Sequence, residues 1–279
     1  APASVAAEAV RSCRTSVFFE LAGITTGKVL QVTSPLPGDG KSTIAGNLAC
    51  SIAQTGKSVL AIDCDLRRPQ LTDNFTLSEE LGLTNTLNGD CDPADACHPT
   101  PLETLHVMPS GPIPANPAEA LTLLEMVDLL EHLREKYDYI IIDTPPLLVV
   151  TDPSIVASMV DGVVMAIRVR RKSKPNARES TNILRAVGAK VLGVVINNSD
   201  EASVSDGYRG YGYYHGYGYY RYGRHTGRYK RERNGSAGKR EKQDTNGSSQ
   251  VLVSGRGVTF SETRGIEPSS ESDGSVHPS

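Results

Sequence analysis

The chain is predicted to fold as an α/β protein, in which a doubly wound, mainly parallel sheet carries helices on both faces. Two observations lead to this prediction. Short apolar runs alternate with amphipathic stretches, and within each run apolar residues follow one another instead of alternating with polar ones. Strands of a parallel sheet are buried on both faces, and each needs a helical crossover to the next. The alternation ends near residue 198, so we expect one folded domain over residues 1–200.

The first half of the chain contains clear strand and helix signals. Amphipathic patterns predict helices over residues 4–21 and 41–54. Strands are expected over residues 28–33 and 58–63, and the stretch 72–104 is expected to be irregular.

The second half continues the alternation and contains one strong helix start. Asn116 can cap this helix, Pro117 fits its first position, and Glu119 lies three residues after the cap. The helix is expected to run to about Lys136. The remaining predicted elements are strands at residues 105–108, 139–143, 162–169 and 191–196 and helices at residues 153–159 and 175–187.

Composition argues against several classes of protein. The net charge of −3 provides no overall field for nucleic acid or an anionic membrane. No apolar run reaches the roughly twenty residues that a membrane span needs. Five scattered cysteines, an odd number in a chain of this size, indicate a reducing compartment. The chain starts at Ala1 rather than Met, so we expect a fragment or a processed chain.

A phosphate-binding loop is predicted between the first strand and the following helix. Residues 35–43 read Pro-Leu-Pro-Gly-Asp-Gly-Lys-Ser-Thr, in the order of strand, Gly/Pro loop and helix that a P-loop requires. Loop amides would bind anionic oxygens, the lysine would reach the β- and γ-phosphates, and the serine hydroxyl could bind Mg²⁺. The pattern departs from the usual one at Pro35, where a glycine is expected. The predicted nucleotide-binding residues are Gly38, Asp39, Gly40, Lys41, Ser42 and Thr43.

Acidic residues follow two of the predicted strands. Asp63 and Asp65 come at the end of one apolar run, and Asp143 ends another that reads Ile-Ile-Ile. Ligands of such sheets bind at the carboxyl ends of the strands, where P-loop proteins hold acids beside a metal ion. One such aspartate could be explained by turn chemistry. Two strands that end in this way beside a P-loop favour a functional site.

The segment 201–229 is dominated by glycine and tyrosine. Without apolar periodicity it cannot bury a core, so we expect it to be disordered. Taken alone, its tyrosines and arginines would also suit single-stranded nucleic acid. Residues 230–279 are expected to form a further disordered polar tail, for which the sequence indicates no function. Nine of the 11 tyrosines of the chain lie in the first segment, namely Tyr208, Tyr211, Tyr213, Tyr214, Tyr217, Tyr219, Tyr220, Tyr222 and Tyr229.

These motifs resemble those of the bacterial tyrosine kinases, a family that autophosphorylates and regulates exopolysaccharide export. The family's D-x-D-x-R element corresponds to Asp63, Asp65 and Arg67, and its Walker B strand corresponds to residues 140–143. The likeness covers about residues 5–200. It departs from the family pattern at Pro35 and at Ser16, where the family often has asparagine.

The resemblance implies an ATP- and Mg²⁺-dependent protein tyrosine autokinase. Lys41 would neutralise charge on the transferred phosphoryl group, while Ser42, Asp65 and Asp143 would hold Mg²⁺ directly or through water. Asp63 would be the general base for the phenol. The division of roles between Asp63 and Asp65 comes from the family and cannot be derived from their spacing. The nine clustered tyrosines would be the phosphoacceptors, offered to a neighbouring copy of the chain.

The family's E-x-x-R-x-x-R helix is matched by Glu8, Arg11 and Arg14, which share one face of the predicted helix in residues 1–22. By themselves they could be a solvated pair of charges within the helix. The resemblance implies that they pair across a ring-like homo-oligomer that dissociates once the tails are phosphorylated. It further implies a membrane-spanning chain-length regulator, fused N-terminally or separate, a phosphatase that reverses tail phosphorylation, and a location at the cytoplasmic face of the bacterial inner membrane. No nucleic-acid partner is implied.

Two other functions compete with the kinase. Partition-type ATPases share the predicted sheet but carry an extra lysine near the start of the loop, where this chain has Leu36. That difference, together with the presence of both Asp63 and Asp65, favours the kinase. The second competitor is a Gly/Tyr-rich scaffold that binds nucleic acid.

Overall fold

The computed structural model of the protein describes residues 5–77, 81–122, 124–197, 250–251 and 259–261. No helix within these ranges is long and apolar enough to cross a lipid bilayer. The five cysteines are all free thiols.

Eight helices and nine strands make up this part of the chain. The helices are α1 (Val5–Glu20), α2 (Lys41–Ala53), α3 (Leu71–Asn74), α4 (Leu83–Leu87), α5 (Pro117–Thr122), α6 (Leu124–Arg134), α7 (Asp152–Ala157) and α8 (Ser173–Ala186). The strands are β1 (Lys28–Ser34), β2 (Val59–Asp63), β3 (His98–Pro99), β4 (Leu105–Met108), β5 (Tyr139–Pro146), β6 (Gly162–Arg168), β7 (Val191–Asn197), β8 (Gln250–Val251) and β9 (Thr259–Ser261).

The strands form one mainly parallel sheet, which confirms the predicted fold class. The sheet order is β3-β4-β2-β5-β1-β6-β7-β9-β8. All neighbours from β4 to β7 are parallel, and the three outer pairings, β3 with β4, β7 with β9 and β9 with β8, are antiparallel. The parallel strands all end at the same edge, so the loops after β1, β2 and β5 lie next to one another there.

Alternate residues of the central strands pack into two separate cores. On β1, Leu30 and Val32 belong to a core shared with α1 and α2, whereas Val29 belongs to a core shared with α5 and α6. Leu30, Val32 and Val29 are all fully buried. Because both faces of the sheet are covered, its strands appear in the sequence as continuous apolar runs.

The stretch from residue 72 to 104 contains more regular structure than predicted. It holds most of α3 and all of α4 and β3, each at most five residues long, which is too short to produce a periodic signal. The start of α4 is held by a close backbone approach. A Cβ atom on Gly82 would lie 2.3 Å from the backbone nitrogen of Gly111, so only glycine fits at this crossing.

Two further elements differ from their predicted bounds. β5 continues past Asp143 to Pro146, because its end pairs with Ser34 of β1 after a shift in register between Val32 and Ser34. The predicted long helix after Asn116 is described as α5 and α6, and residue 123 between them lies outside the described residues.

Two short strands, β8 and β9, extend the sheet beyond β7, where the sequence predicted no strand. β9 pairs antiparallel with β7, and β8 pairs with β9. All other residues from 198 to 279, including the nine clustered tyrosines, lie outside the described residues.

The N-terminal helix α1 is fastened to α2 by an arginine. The Nη1 group of Arg14 donates to the carbonyl oxygen of Ser51 at 2.9 Å and to its hydroxyl at 3.3 Å. Glu8 and Arg11 form an ion pair with each other on the exposed side of the helix. Of the three residues predicted to bridge subunits, Arg14 is therefore engaged within its own chain.

Candidate active site

The loop between β1 and α2 depends on two glycines with left-handed backbone. Gly38 has a φ of 75° and Gly40 a φ of 96°, values that glycine adopts without strain. A Cβ atom on Gly40 would lie 2.0 Å from the side-chain nitrogen of Asn197, so a larger residue would displace that side chain. α2 begins directly after Gly40, and the N-terminus of a helix attracts anions.

Two side chains from the ends of the neighbouring strands β6 and β7 hold this loop in place. Asn197 donates from Nδ2 to the carbonyl oxygen of Asp39 at 3.0 Å. Arg170 lies with Nη1 3.5 Å from Oδ1 of Asp39, and its Nη2 donates to the carbonyl oxygen of Gly38 at 3.3 Å. Burial raises the pKa of Asp39, although the Leu36 amide and the Arg170 charge oppose this shift. The Asp39 carboxylate therefore stabilises the loop through its contacts with the Leu36 amide and the Arg170 side chain.

Arg170 and Asn197 were not predicted from the sequence. Asn197 is the last residue of β7, and Arg170 follows β6 closely. The signal that could have identified them is their position at the carboxyl ends of two predicted strands, the edge where the P-loop lies.

Pro35 is accommodated at the start of the loop. Its carbonyl oxygen accepts the amide of Leu148 at 3.2 Å, next to the bond from the amide of Leu147 to the carbonyl of Ser34 at 2.8 Å. Proline has no N–H to donate, and this contact uses only its carbonyl oxygen. The departure from the usual loop pattern therefore leaves the loop attached to the segment after β5.

Lys41 lies among the carboxylates that follow β2 and β5. Its Nζ is 2.8 Å from Oδ2 of Asp65 and 3.8 Å from Oδ2 of Asp143, and it donates to the Ser42 hydroxyl at 3.1 Å. Burial alone would lower the pKa of Lys41, but the charges of Asp143 and Asp65 outweigh it and raise that pKa. The lysine therefore keeps its positive charge next to the phosphate-binding loop.

Asp143 is a carboxylate that is buried beside Lys41 and Ser42. It is 0% exposed, and neither of its oxygens has a hydrogen-bond partner among the described residues. Burial raises the pKa of Asp143 to about 7, against the opposing charge of Lys41. Buried polar groups are normally satisfied, and an unsatisfied carboxylate is a position that a bound cation would stabilise.

Asp63 lies beside Asp143, and its carboxylate accepts hydrogen bonds from neighbouring residues. Its Oδ2 accepts the amide of Thr72 at 2.9 Å and the Thr72 hydroxyl at 3.0 Å, and its Oδ1 accepts the Asp65 amide at 3.3 Å. Burial raises the pKa of Asp63 to about 6, although the bonds from Thr72 oppose the shift. The register of the sheet places Asp63 directly beside Asp143.

The arginine of the D-x-D-x-R element forms a two-pronged ion pair. Arg67 Nε donates to Oδ2 of Asp152 at 2.8 Å, and its Nη2 donates to Oδ1 at 3.1 Å. Asp152 is fully buried at the start of α7, and sequence reasoning did not identify it. The pair therefore connects the segment after β2 to α7.

A cavity of about 650 Å³ opens beside Lys41 and Asp65. Its walls come from the P-loop, from the segment after β2 and from the segment after β5. Besides Lys41 and Asp65, the lining residues are Pro37, Gly38, Arg67, Arg68, Gln70, Pro145, Pro146, Val149 and Val150.

The structure brings most of the predicted site residues together. Lys41, Ser42, Asp65 and Asp143 form one group at the carboxyl edge of the sheet. Of the other predicted residues, Gly38 lines the cavity, Asp39 and Gly40 shape the loop, Thr43 is exposed in the first turn of α2, and Asp63 is turned toward Thr72.

Comparison with known proteins places this site in a family. A family model described as an AAA domain matches residues 27–187. The tyrosine-protein kinase YwqD of Bacillus subtilis (strain 168) is 38% identical over 214 residues, which cover 76% of this chain and 88% of that protein. The chain belongs to the bacterial tyrosine-protein kinase family. This confirms the resemblance seen in the sequence motifs.

Other members of the family match the kinase over a similar range. The tyrosine-protein kinase ptk of Acinetobacter johnsonii is 40% identical over 200 residues, which are 71% of this chain but 27% of that protein. The kinase chain thus spans about a quarter of that relative's length. The solved kinase domain of the Escherichia coli tyrosine kinase ETK is 33% identical with a TM-score of 0.66, and the match covers 76% of this chain and 80% of that one.

The kinase also shares its fold with a cell division ATPase. The cell division ATPase MinD of Pyrococcus furiosus is 22% identical with a TM-score of 0.55, over 61% of this chain and 72% of that one. At that level of identity the likeness concerns the fold alone.

Proposed function

We propose that this kinase transfers the γ-phosphoryl group of ATP to the clustered tyrosines of its own segment 208–229. The observation that carries the proposal is the position of Lys41 between Asp65 and Asp143, beside a phosphate-binding loop and an open cavity. Relatives of the chain are named tyrosine-protein kinases. The tyrosine cluster supplies acceptors that a simple hydrolase would not need.

The proposed reaction is an in-line displacement at phosphorus. The phenolic oxygen forms a bond to the γ-phosphorus while the bond to the oxygen that bridges to ADP breaks. ADP leaves, and the phenolic proton passes to a carboxylate. Loop amides of residues 38–43 and the ammonium group of Lys41 would offset the charge on the phosphoryl oxygens, which is the main contribution that proteins make to such transfers.

The carboxylate that takes the proton is proposed to be Asp63, as in the family pattern. Its raised pKa, about 6, suits a general base near neutral pH. In the described geometry Asp65 lines the cavity, whereas Asp63 is fully buried and accepts bonds from Thr72. Asp63 could therefore reach a phenol only after it releases Thr72.

The residues around Lys41 also fit a magnesium ion. Ser42, Asp65 and Asp143 offer the oxygen ligands that Mg²⁺ prefers, and both oxygens of Asp143 are free of hydrogen bonds from the described residues. Bound there with the nucleotide, Mg²⁺ would neutralise phosphate charge. We propose that these three residues hold it directly or through water.

A Lys41→Met substitution tests the proposal. We expect the variant to lose self-labelling from γ-labelled ATP, because the charge that faces the transferred phosphoryl group is removed. In wild type, mapping of the phosphosites should place the label within residues 208–229. In the same assay Asp63→Asn should label its tail poorly while still binding ATP. Labelled tyrosines on the Lys41→Met protein, or free phosphate as the sole wild-type product, would contradict a tyrosine kinase.

We further propose the assembly and setting that family members share. These are a ring-like homo-oligomer that uses Glu8, Arg11 and Arg14, a membrane-spanning chain-length regulator as partner, a phosphatase that resets the tail, and a role in exopolysaccharide export. The proposed location is the cytoplasmic face of the bacterial inner membrane. Co-sedimentation of the chain with membranes only when the regulator is co-expressed would support this setting, and sedimentation independent of the regulator would contradict it.

A further inference from the structure

We propose that Arg68 forms an anion subsite in the wall of the cavity, which binds a phosphotyrosine adjacent to the tyrosine that is being phosphorylated. The ligand class is a phosphate monoester on a neighbouring residue of the acceptor chain. This inference rests on the proposed function and extends it, because it predicts the order in which acceptors are used.

The backbone of Arg68 is fixed by the carboxylate next to Lys41. Asp65 accepts the Arg68 amide at 3.1 Å with Oδ1, while its Oδ2 lies 2.8 Å from Lys41 Nζ. One carboxylate thus sets the distance between the phosphate-binding lysine and the base of the Arg68 side chain. An anion held by Arg68 would therefore lie within the reach of one arginine side chain from this fixed point.

Among the charged residues of the cavity wall, Arg68 is the one whose side chain is not paired within the described part of the chain. Lys41 is paired with Asp65, Arg67 is paired with Asp152, and the Gln70 amide donates to Asp73 and to the Pro69 carbonyl. The Arg68 side chain is exposed, and its guanidinium has no ion-pair or hydrogen-bond partner in the part of the chain that the structure describes. Its five N–H donors therefore remain available, in a fork that matches the oxygens of a phosphate.

The wall after β5 suits the ring of the acceptor. Pro145, Pro146, Val149 and Val150 line it, and the Val149 side chain is 57% exposed. An apolar wall and a free arginine in one cavity would hold a tyrosine ring and a neighbouring charged group together. The cavity of about 650 Å³ is large enough for a ring and a neighbouring phosphate together.

The charge of the acceptor segment explains why the anion would be a phosphate. Residues 207–229 contain four arginines and no aspartate or glutamate. The unmodified segment is therefore repelled by Arg68. Phosphorylation adds about two negative charges per tyrosine at neutral pH, so the segment gains its first anions through the reaction itself. Adjacent tyrosines occur at Tyr213–Tyr214 and Tyr219–Tyr220, which places one phosphate directly next to an unused acceptor.

A pair of peptides tests the subsite with the full-length chain. The nine tail tyrosines of the enzyme are changed to phenylalanine so that only the peptide is labelled. Both peptides carry residues 216–224 with Tyr217→Phe and Tyr222→Phe, and Tyr219 is the acceptor. Position 220 is phosphotyrosine in one peptide and phenylalanine in the other. We expect the phosphorylated peptide to have a KM about tenfold lower, since an arginine–phosphate contact is a strong, charge-assisted one.

Arg68→Ala should bring the ratio of the two KM values close to one. The ratio is measured within one protein preparation, so partial misfolding of the variant would affect both peptides equally. Arg178→Ala, which removes an exposed arginine of α8, serves as the matched control and should keep the ratio. Arg68→Lys should keep part of the preference, because it retains the charge but loses the fork.

Three results would decide against the subsite. Equal KM values for both peptides with wild type would overturn it and leave the kinase proposal intact. An Arg68→Ala protein that keeps the tenfold ratio would also overturn it. A raised KM for ATP with an unchanged peptide ratio would assign Arg68 to the γ-phosphate of the nucleotide instead. Failure of the enzyme to label either peptide, or of wild type to label its own tail, would count against the proposed function itself.

Discussion

Asp143 combines complete burial with two oxygens that accept no hydrogen bond from the described residues. A carboxylate in this setting costs the folded protein free energy whenever it is ionised, because the interior solvates a charge poorly. The charge of Lys41 offsets part of that cost. Asp143 thus lowers the stability of the unliganded protein, and a divalent cation bound at this site would offset that cost.

Asp143→Asn is expected to stabilise the protein in EDTA without nucleotide. The folded pKa of Asp143, about 7, is above its ordinary value of 3.8, so its contribution to stability is present at low pH and lost as the pH rises through 7. At pH 8 the variant should gain up to about 4 kcal/mol, and the gain should shrink as the pH falls toward 4. Thermal unfolding from pH 4.5 to 8 measures it.

The control for this prediction is the wild-type pH profile in the same buffers. Asp63 also has a raised pKa and its charge acts on Asp143, so the difference between the two proteins reports the titration of this coupled pair. A difference that does not vary with pH would show that the carboxylate is not strained by burial. The same variant should lose self-labelling, because it lacks a proposed ligand of Mg²⁺.

At the scale of elements, the D-x-D-x-R segment after β2 is attached to α7 through one ion pair. Asp152 is fully buried, and the partly exposed Arg67 donates to both of its carboxylate oxygens. Asp65 lies two residues before Arg67 in the same segment and faces Lys41. The pair therefore helps to keep Asp65 in place, although neither Arg67 nor Asp152 touches Lys41.

Arg67→Ala should destabilise the fold by about 2–3 kcal/mol, because it leaves a buried carboxylate without its charged partner. The neighbouring Arg68→Ala is the matched control and should change the free energy of unfolding by less than about 0.5 kcal/mol, as exposed substitutions do. Urea unfolding of the two variants measures the difference. Equal effects of the two substitutions would contradict the structural role of the Arg67–Asp152 pair.

Elements with strong local signals were predictable from the sequence, and contacts between distant segments were not. β1, α2 and β2 follow from apolar runs and a Gly/Pro loop, and β4 matches its predicted bounds. α4 and β3 are too short to show periodicity. Arg170 donates to a residue 132 positions away and Asn197 to one 158 positions away, so their roles arise only once the sheet has assembled.

At the scale of the whole molecule, the point where the chain leaves the sheet toward the acceptor segment affects whether a chain can phosphorylate itself or a neighbour. β7 is a parallel strand, so Asn197 ends at the same edge of the sheet as the cavity. The resemblance to the kinase family implies that acceptors beyond Asn197 are offered to the cavity of a neighbouring copy. Because Asn197 and the cavity lie at one edge, the fold permits either route, and the choice depends on assembly.

Mixing two complementary variants tests transfer between chains. Full-length Lys41→Met keeps its acceptors but lacks the donor site, and a chain with the nine tail tyrosines changed to phenylalanine keeps the donor site alone. Label on the Lys41→Met protein is expected if transfer occurs between copies. Glu8→Ala with Arg11→Ala in both chains should lower this labelling severalfold, since their proposed interface is lost.

Arg14 is left unchanged in this experiment because its bonds to Ser51 support α1 on α2. Circular dichroism of each variant controls for folding. Wild-type self-labelling whose rate per molecule is independent of concentration, together with an unlabelled mixture, would show that each chain modifies only itself.

The bond between Asn197 and the Asp39 carbonyl also fixes a tether point. Each residue of a fully extended chain spans at most about 3.6 Å, so Tyr208, about 11 residues beyond Asn197, stays within roughly 40 Å of the P-loop. Tyr229, about 32 residues beyond it, has a limit near 115 Å. The position of a tyrosine along the acceptor segment therefore sets how far it can lie from the P-loop of its own chain. The earliest tyrosines are restricted to active sites close at hand, and only the later ones can be presented to a distant subunit.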